Sequence, residues 1–589
     1  MSHRSGRSLC IAVAWSVLAA AASAQKPAPP AAYVPPLATL LNRPASELRD
    51  LVERVSLDGR DLGRRWPVEY SPVRLSAFGG FYVAWQGRLG EVGFDKLSQE
   101  GKVDYLLLKN RLGHELSLLK RDGDRYAEMA ALVPFASAIM GLFEQQRRME
   151  TVVPDSLARV VSEIAAAAAT ATQRIDSTTP KPTRIVAFRA AAEVTSLAQT
   201  LKRWYDFLAG YDPMFTWWNK APYEKASAGL AAYAKALREK IVGIREGQEE
   251  PIVGDPIGRA ALVEDLAYEM IPYTPEELVK IAEREFAWCD AEMLKASRAM
   301  GFGDDWRAAL EKVKTLHVEP GKQTDLVRDL AREAEAFVET RGLVTVPPLA
   351  KDDWWMEMLS PERQRVSPFF LGGSLIQVSY PTDAMAQEDK LMSMRGNNRY
   401  FSRATVHHEL IPGHHLQWFM NDRYSPHRDL FGTPFWGEGW SLYWEMLLWD
   451  AGFPRTPEEK VGMLFWRMHR AARIIFSLRF HLGEMSPQEA IDFLVNRVGH
   501  ERANAAAEVR RSFNGSYPPL YQIAYMMGGL QFRALHQELV GGGRMTDRAF
   551  HDAILQGGTM PVEMVRALLT RQRLTADYTP QWRFAGALQ

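Results

Sequence analysis

Cysteine is nearly missing from this chain, with two in 589 residues, Cys10 and Cys289. Cys10 lies inside an N-terminal apolar run and is expected to leave with it, so the remainder cannot form an internal disulfide. An excess of either charge is missing too. Lys+Arg and Asp+Glu stand at 71 each, and such a balance favours neither nucleic acid nor an anionic membrane as a partner. Long apolar runs are also absent. Leu9 to Ala22 is too short to span a bilayer. With Arg4 and Arg7 before it and Ala22-Ser23-Ala24 after it, residues 1–24 read as a secretory signal peptide. Export to the periplasm or beyond is therefore expected, with no stable membrane insertion after cleavage. No internal repeat is visible.

What is present is mostly helical patterning. After a proline- and alanine-rich tether, 25–37 (QKPAPPAAYVPPL), residues 38–589 are expected to form one large helical body. Its mostly helical half is 38–345, and its site-bearing half is 346–589. Val103 to Leu119 keeps apolar residues at three- and four-residue intervals, the signature of a helix with one buried face. Thr274-Pro275-Glu276-Glu277, Thr456-Pro457-Glu458-Glu459 and Ser486-Pro487-Gln488-Glu489 each place a capping hydroxyl, then proline, then glutamate at the third helical position. Helices should start at all three. The alanine run Ala165–Ala169 favours helix and suits a close helix–helix contact. The pattern breaks between Val344 and Tyr380, where the end of FFLGGSLIQVSY (369–380) alternates like a strand. The expected fold class is mainly α, a large helical body with a long cleft and a small β-sheet preceding the helix that carries the metal-ligand cluster.

That cluster is Thr405 to Gln417, TVHHELIPGHHLQ, which packs four histidines and a glutamate into 13 residues around Pro412-Gly413. In the H-E-x-x-H pattern, two histidines one turn apart bind zinc and the glutamate is the general base. His408 and Glu409 match its first two letters, but the fourth position after His408 is proline. On a regular helix His414 would lie roughly 240° around and about 9 Å along from His408, too far to share an ion. The helix must deform, and Pro412, with no N–H, and Gly413, with its wide backbone freedom, allow that. His415 lies on nearly the same face as His408 but about 10.5 Å further on. A third ligand is available in FWGEGWSLYWE (435–445), where Glu438 sits between two glycines. Two histidines and a carboxylate form one standard catalytic zinc set. Glu445 is a fallback ligand or an acid supporting one, and His407 suits packing or support.

These motifs resemble the zinc helix of the angiotensin-converting-enzyme type of helical peptidase (gluzincins), whose core is TVHHE-x-GH-x-Q, with two residues inserted here. The fuller run, HE-x-x-PGHH-x-Q followed by Glu-Gly-Trp-x-x-Tyr, resembles the bacterial domain-of-unknown-function family 885. The resemblance implies one zinc ion, peptide hydrolysis without a covalent intermediate, and Glu409 as base. It implies a 24-residue interval between the second histidine and the glutamate ligand, which His414 and Glu438 show. The position of Gln417 argues instead for His415. The resemblance further implies a tyrosine donating to the developing oxyanion. Pro519, Tyr525 and Gly528 fit family 885 spacing, making Tyr525 the first choice and Tyr521 the second. It also implies that an edge strand, here Leu375–Tyr380 with Gln377, Ser379 and Tyr380, pairs with an extended peptide substrate.

The chain departs from these patterns. The converting enzyme's donor histidine corresponds to Gly515 and its supporting aspartate to Leu442. Of an Asp-x-Gly-x-His run expected in family 885, Ser477, Arg479 and His481 keep only the histidine. Two other functions stay open on the sequence: a helical binding protein with a structural or degenerate zinc site, and a glycosidase, given 17 tryptophans. A glycosidase needs two carboxylates about 5–9.5 Å apart, and no pair stands out as the histidine cluster does.

Overall fold

The computed structural model describes residues 27–586, apart from 42–44, 178–180, 246, 248–249, 365–368, 371, 374 and 515–516. The signal sequence with Cys10, and Gly515, lie outside the described residues. The chain is 71% helical with a single two-stranded parallel sheet among the described residues. Local sequence explains where many helices begin. All three hydroxyl-Pro-x-Glu segments open helices, and in each the Ser or Thr oxygen accepts the N3 amide while the glutamate reaches back to the cap.

Helix α1 (Gln99–Met129) joins two apolar cores. Its first half, Val103 to Leu112, belongs to the main core, and Met129 belongs to a smaller one. The smaller core is built by α2 (Pro154–Arg174), α3 (Arg184–Leu208) and α4 (Pro213–Ala236), together with flanking segments. The alanine run lets α2 and α4 pack closely. Ala168 is fully buried, and a Cβ built on Gly229 would touch it at 3.5 Å.

The main core surrounds α5 (Pro275–Ala299), which packs on the 25-residue helix Pro457–His481. Cys289 sits in this core as a free thiol, pushed up to about 12 by burial. Strand β1 (Trp355–Met358) pairs in parallel with β2 (Leu375–Val378), Trp355 opposite Leu375, so the sheet is a crossover and not a hairpin. After it come α6 (Arg399–Glu409), α7 (His414–Tyr424), α8 (Pro434–Asp450), α9 (Pro457–His481), α10 (Arg502–Phe513) and α11 (Tyr521–His536). Helix α9 is buried almost from end to end, against α5, α6 and α11.

Candidate metal centre

The helix expected to deform at Pro412 breaks instead. Helix α6 ends at Glu409, and a separate helix, α7, starts at His414, across a cis Ile411–Pro412 bond. Pro412 has no N–H to offer the carbonyl of His408. That carbonyl accepts the Ser441 hydroxyl at 2.9 Å instead, while the Trp440 indole N–H holds the Pro412 carbonyl at 2.9 Å. Gly413 bonds back to the His407 carbonyl at 3.1 Å, and a Cβ there would lie 1.9 Å from the His408 oxygen. No side chain fits at 413. The break therefore resets the helical phase between His408 and His414.

Its consequence is convergence. His408, His414 and Glu438 each offer a ligand atom, all within 4.8 Å of one another. The Glu438 Oε2 stands 3.3 Å from His408 Nε2 and 3.0 Å from His414 Nε2, and the two imidazoles meet edge-on at 4.9 Å between ring centres. The other nitrogen of His408 is 2.7 Å from Glu445 Oε1, which fixes the ring's orientation. His415 is not part of the group: its Nε2 points to the Ala350 carbonyl at 2.7 Å. His407 turns into the core against Phe453, and burial pushes its ring down to about 3.

Glu438 is positioned by the closest approach of two helices. A Cβ on Gly439 would lie 2.5 Å from the Gly528 Cα, and one on Gly528 would lie 2.1 Å from the Phe435 carbonyl oxygen. With glycine at both positions, α8 and α11 touch along their backbones, and α11 brings its tyrosines to the cluster. The Tyr521 hydroxyl donates a short hydrogen bond to Glu438 Oε1. Tyr525 stacks on His408 at 6.0 Å, and the guanidinium carbons of Arg470 and Arg473 each lie 4.3 Å from its ring centre.

Burial opposes charge on every group here, and local partners decide the outcome. Hydrogen bonds that protonated His408 donates to Glu438 and Glu445 outweigh burial and push it up to about 9. Burial also opposes ionisation of Glu438, but His414 and His408 hold it well below the ordinary carboxylate range. Glu445 is lowered in the same way, chiefly by His408. At Glu409 burial prevails, so its carboxyl is raised despite His408 and His414 nearby. A partly buried carboxyl with raised proton affinity is suited to proton transfer.

His408, Glu409, His414, Glu438, Tyr521 and Tyr525 all line one cavity of about 510 Å³. Gly372 lies against Glu409, where a Cβ would come within 2.1 Å of its Oε2. The strand residues are elsewhere: Gln377, Ser379 and Tyr380 do not line this cavity. The Ser379 hydroxyl and the Tyr380 amide are taken by Gln364 Oε1 at 3.2 and 3.1 Å, and the Tyr380 hydroxyl by the Glu319 carbonyl at 3.2 Å. Arg470, Arg473 and Arg511 also line the cavity. Arg470 and Arg473 had a signal in the sequence, since Arg467, Arg470 and Arg473 recur every third residue in a mostly apolar stretch of α9. That spacing is a readable sign of buried, paired charge.

Comparisons place this architecture among known proteins. No curated protein matches the chain. A solved structure described as a candidate lipoprotein of unknown function from Shewanella oneidensis is similar over 89% of this chain and 100% of that one, at 19% identity and a TM-score of 0.67. A candidate lipoprotein from Colwellia psychrerythraea is similar over 89% and 97%, at 14% identity and a TM-score of 0.56. At these identities the likeness is one of fold. The family model for bacterial proteins of unknown function, DUF885, matches residues 56–569, and the chain belongs to that family.

Proposed function

We propose that the protein is a zinc-dependent peptidase acting on peptides outside the cytoplasm. The observation that carries this reading is the meeting of two imidazole nitrogens and one carboxylate oxygen in the wall of a cavity that is also lined by the partly buried Glu409, which stands outside that ligand group. The donors fit zinc in type and number. Two histidines and a glutamate are a catalytic set, and a carboxylate behind one histidine is the usual support. Zinc bound there would supply Lewis acidity and lower the pKa of a water molecule towards neutrality.

The chain's own residues would do the rest. Glu409 takes a proton from the attacking water and returns it to the leaving amine. Tyr525, or Tyr521 once released from Glu438, donates a hydrogen bond to the oxyanion as it develops. The arginines flanking Tyr525 hold its ring in place. The resemblance of TVHHE and Gly-His to the gluzincin peptidases supports the same assignment. The cavity favours catalysis over a purely structural ion, because a structural zinc site is closed. Candidate lipoproteins among the similar folds agree with a signal-bearing chain that works in the cell envelope.

Elemental analysis of the purified protein, with mass-spectrometric profiling of a peptide mixture, tests metal and reaction together. One zinc per chain and cleaved peptides are expected. Stoichiometric zinc with no peptide cleaved would make this a binding protein. Metal-independent release of a sugar from a chromogenic glycoside would make it a glycosidase.

A further inference from the structure

The cavity that holds the metal-ligand group also holds three arginines whose hydrogen bonding is incomplete. Arg470 and Arg473 are 5% and 1% exposed, and Arg511 lines the same wall. A guanidinium stays charged wherever it is placed, so each one taken from water needs an anion. The carboxylates nearest the three are already shared. Glu508, with no exposure, takes Arg473 Nε at 2.6 Å and an Arg511 terminal nitrogen at 2.6 Å, so two cations share one carboxylate. Arg470 meets Glu445 only at 3.8 Å, and that same oxygen is already 2.7 Å from His408 Nδ1. Among the described residues, Arg470 Nε, Arg473 Nη1 and Arg511 Nε are buried with no hydrogen-bond partner. The neighbouring histidines offer these nitrogens no acceptor: His469 and His500 bond to each other at 2.9 Å.

The unmet donors lie beside the reacting groups. The guanidinium carbons of Arg470 and Arg473 lie 4.3 Å from the Tyr525 ring centre and the His408 ring 6.0 Å from it, so at most the sum of those two distances separates them from His408. That distance is within about three residues of extended chain. We infer that Arg470, Arg473 and Arg511 form a subsite for a carboxylate of the substrate, which selects peptides carrying an anionic group within a few residues of the bond to be cut. Guanidiniums pair with carboxylates through parallel N–H bonds, which gives position as well as charge. The inference rests on the peptidase reading for its substrate, but the unmet arginine donors stand without it. The carboxylate can come from a peptide's C-terminus or from an acidic side chain.

Calorimetric titration of full-length Glu409→Gln protein separates these sources without turnover. The ligands are N-acetyl-tetra-alanine as the free acid, the same peptide as its C-terminal amide, and the amide with glutamate as its last residue. The free acid, the glutamate amide or both should bind at least about 30-fold more tightly than the plain amide. Whichever gains affinity identifies the source. Equal binding of all three, or binding of none, overturns the inference. Arg511→Met in the same background leaves Glu508 paired with Arg473 and should bring acid and amide within about threefold. An undiminished preference would remove the cluster from the assignment. Acid-selective binding with no peptide cleaved by the unmodified protein would instead defeat the peptidase reading and leave the subsite standing.

Discussion

The two apolar cores use burial for opposite ends. The smaller one, around α2, α3 and α4, is alanine-rich and almost free of buried charge, and its large apolar groups spill outward: Tyr211 and Trp217 are 85% and 80% exposed. The core around α6, α8, α9 and α11 encloses His408, Glu438, Glu445, Arg470, Arg473 and Glu508. Burying ionised groups is costly and seldom improves stability over an apolar core. Such a concentration of them on one side of the molecule is better explained by chemistry than by folding, since perturbed titrating groups gather at functional sites.

Substitutions in the two regions should separate these roles. The largest effect is expected at Glu409: Glu409→Gln should lower peptide turnover by about 10²–10⁴-fold, while elemental analysis still finds the metal. Retained turnover would remove Glu409 as the base. Next, Glu445→Gln keeps the shape behind His408 but weakens its orientation, and metal affinity in a chelator competition should fall about 10–100-fold. Unchanged affinity would mean that Glu445 serves only to balance Arg470.

The smaller core should answer to pH and not to metal. Burial, and then the charge of Glu69, push Glu193 up to about 7 from an ordinary 4.5. An acid whose folded pKa is raised stabilises the fold below the unfolded pKa, and that contribution is lost as pH rises towards the folded one. Protection of α3 amides from hydrogen exchange should therefore fall between pH 4.5 and 7, by about 1–3 kcal/mol in opening free energy. Glu193→Gln should flatten that dependence and leave metal content unchanged. A protection profile indifferent to pH would show that water reaches this carboxylate.

How much of this could be read from the sequence follows from how local each feature is. The starts at Thr274, Thr456 and Ser486 depend on four consecutive residues and are fully legible. The choice between His414 and His415 was not decidable by helical phase, because α6 and α7 are separate helices and periodicity does not carry across the break at Pro412. The contact of Gly439 with Gly528, and the sharing of Glu508 by Arg473 and Arg511, join residues distant in the chain that no local pattern links. The Leu375–Val378 strand was legible as a strand, but its parallel partner and its distance from the cavity were not, since strand pairing is set by tertiary packing.

The most direct test of the central claim is zinc content, measured by elemental analysis of dialysed protein alongside two single-histidine variants. One zinc per chain is expected in the unmodified protein and in His415→Ala, and none in His414→Ala. A full equivalent retained by folded His414→Ala, or none in the unmodified protein after zinc supplementation, would contradict it.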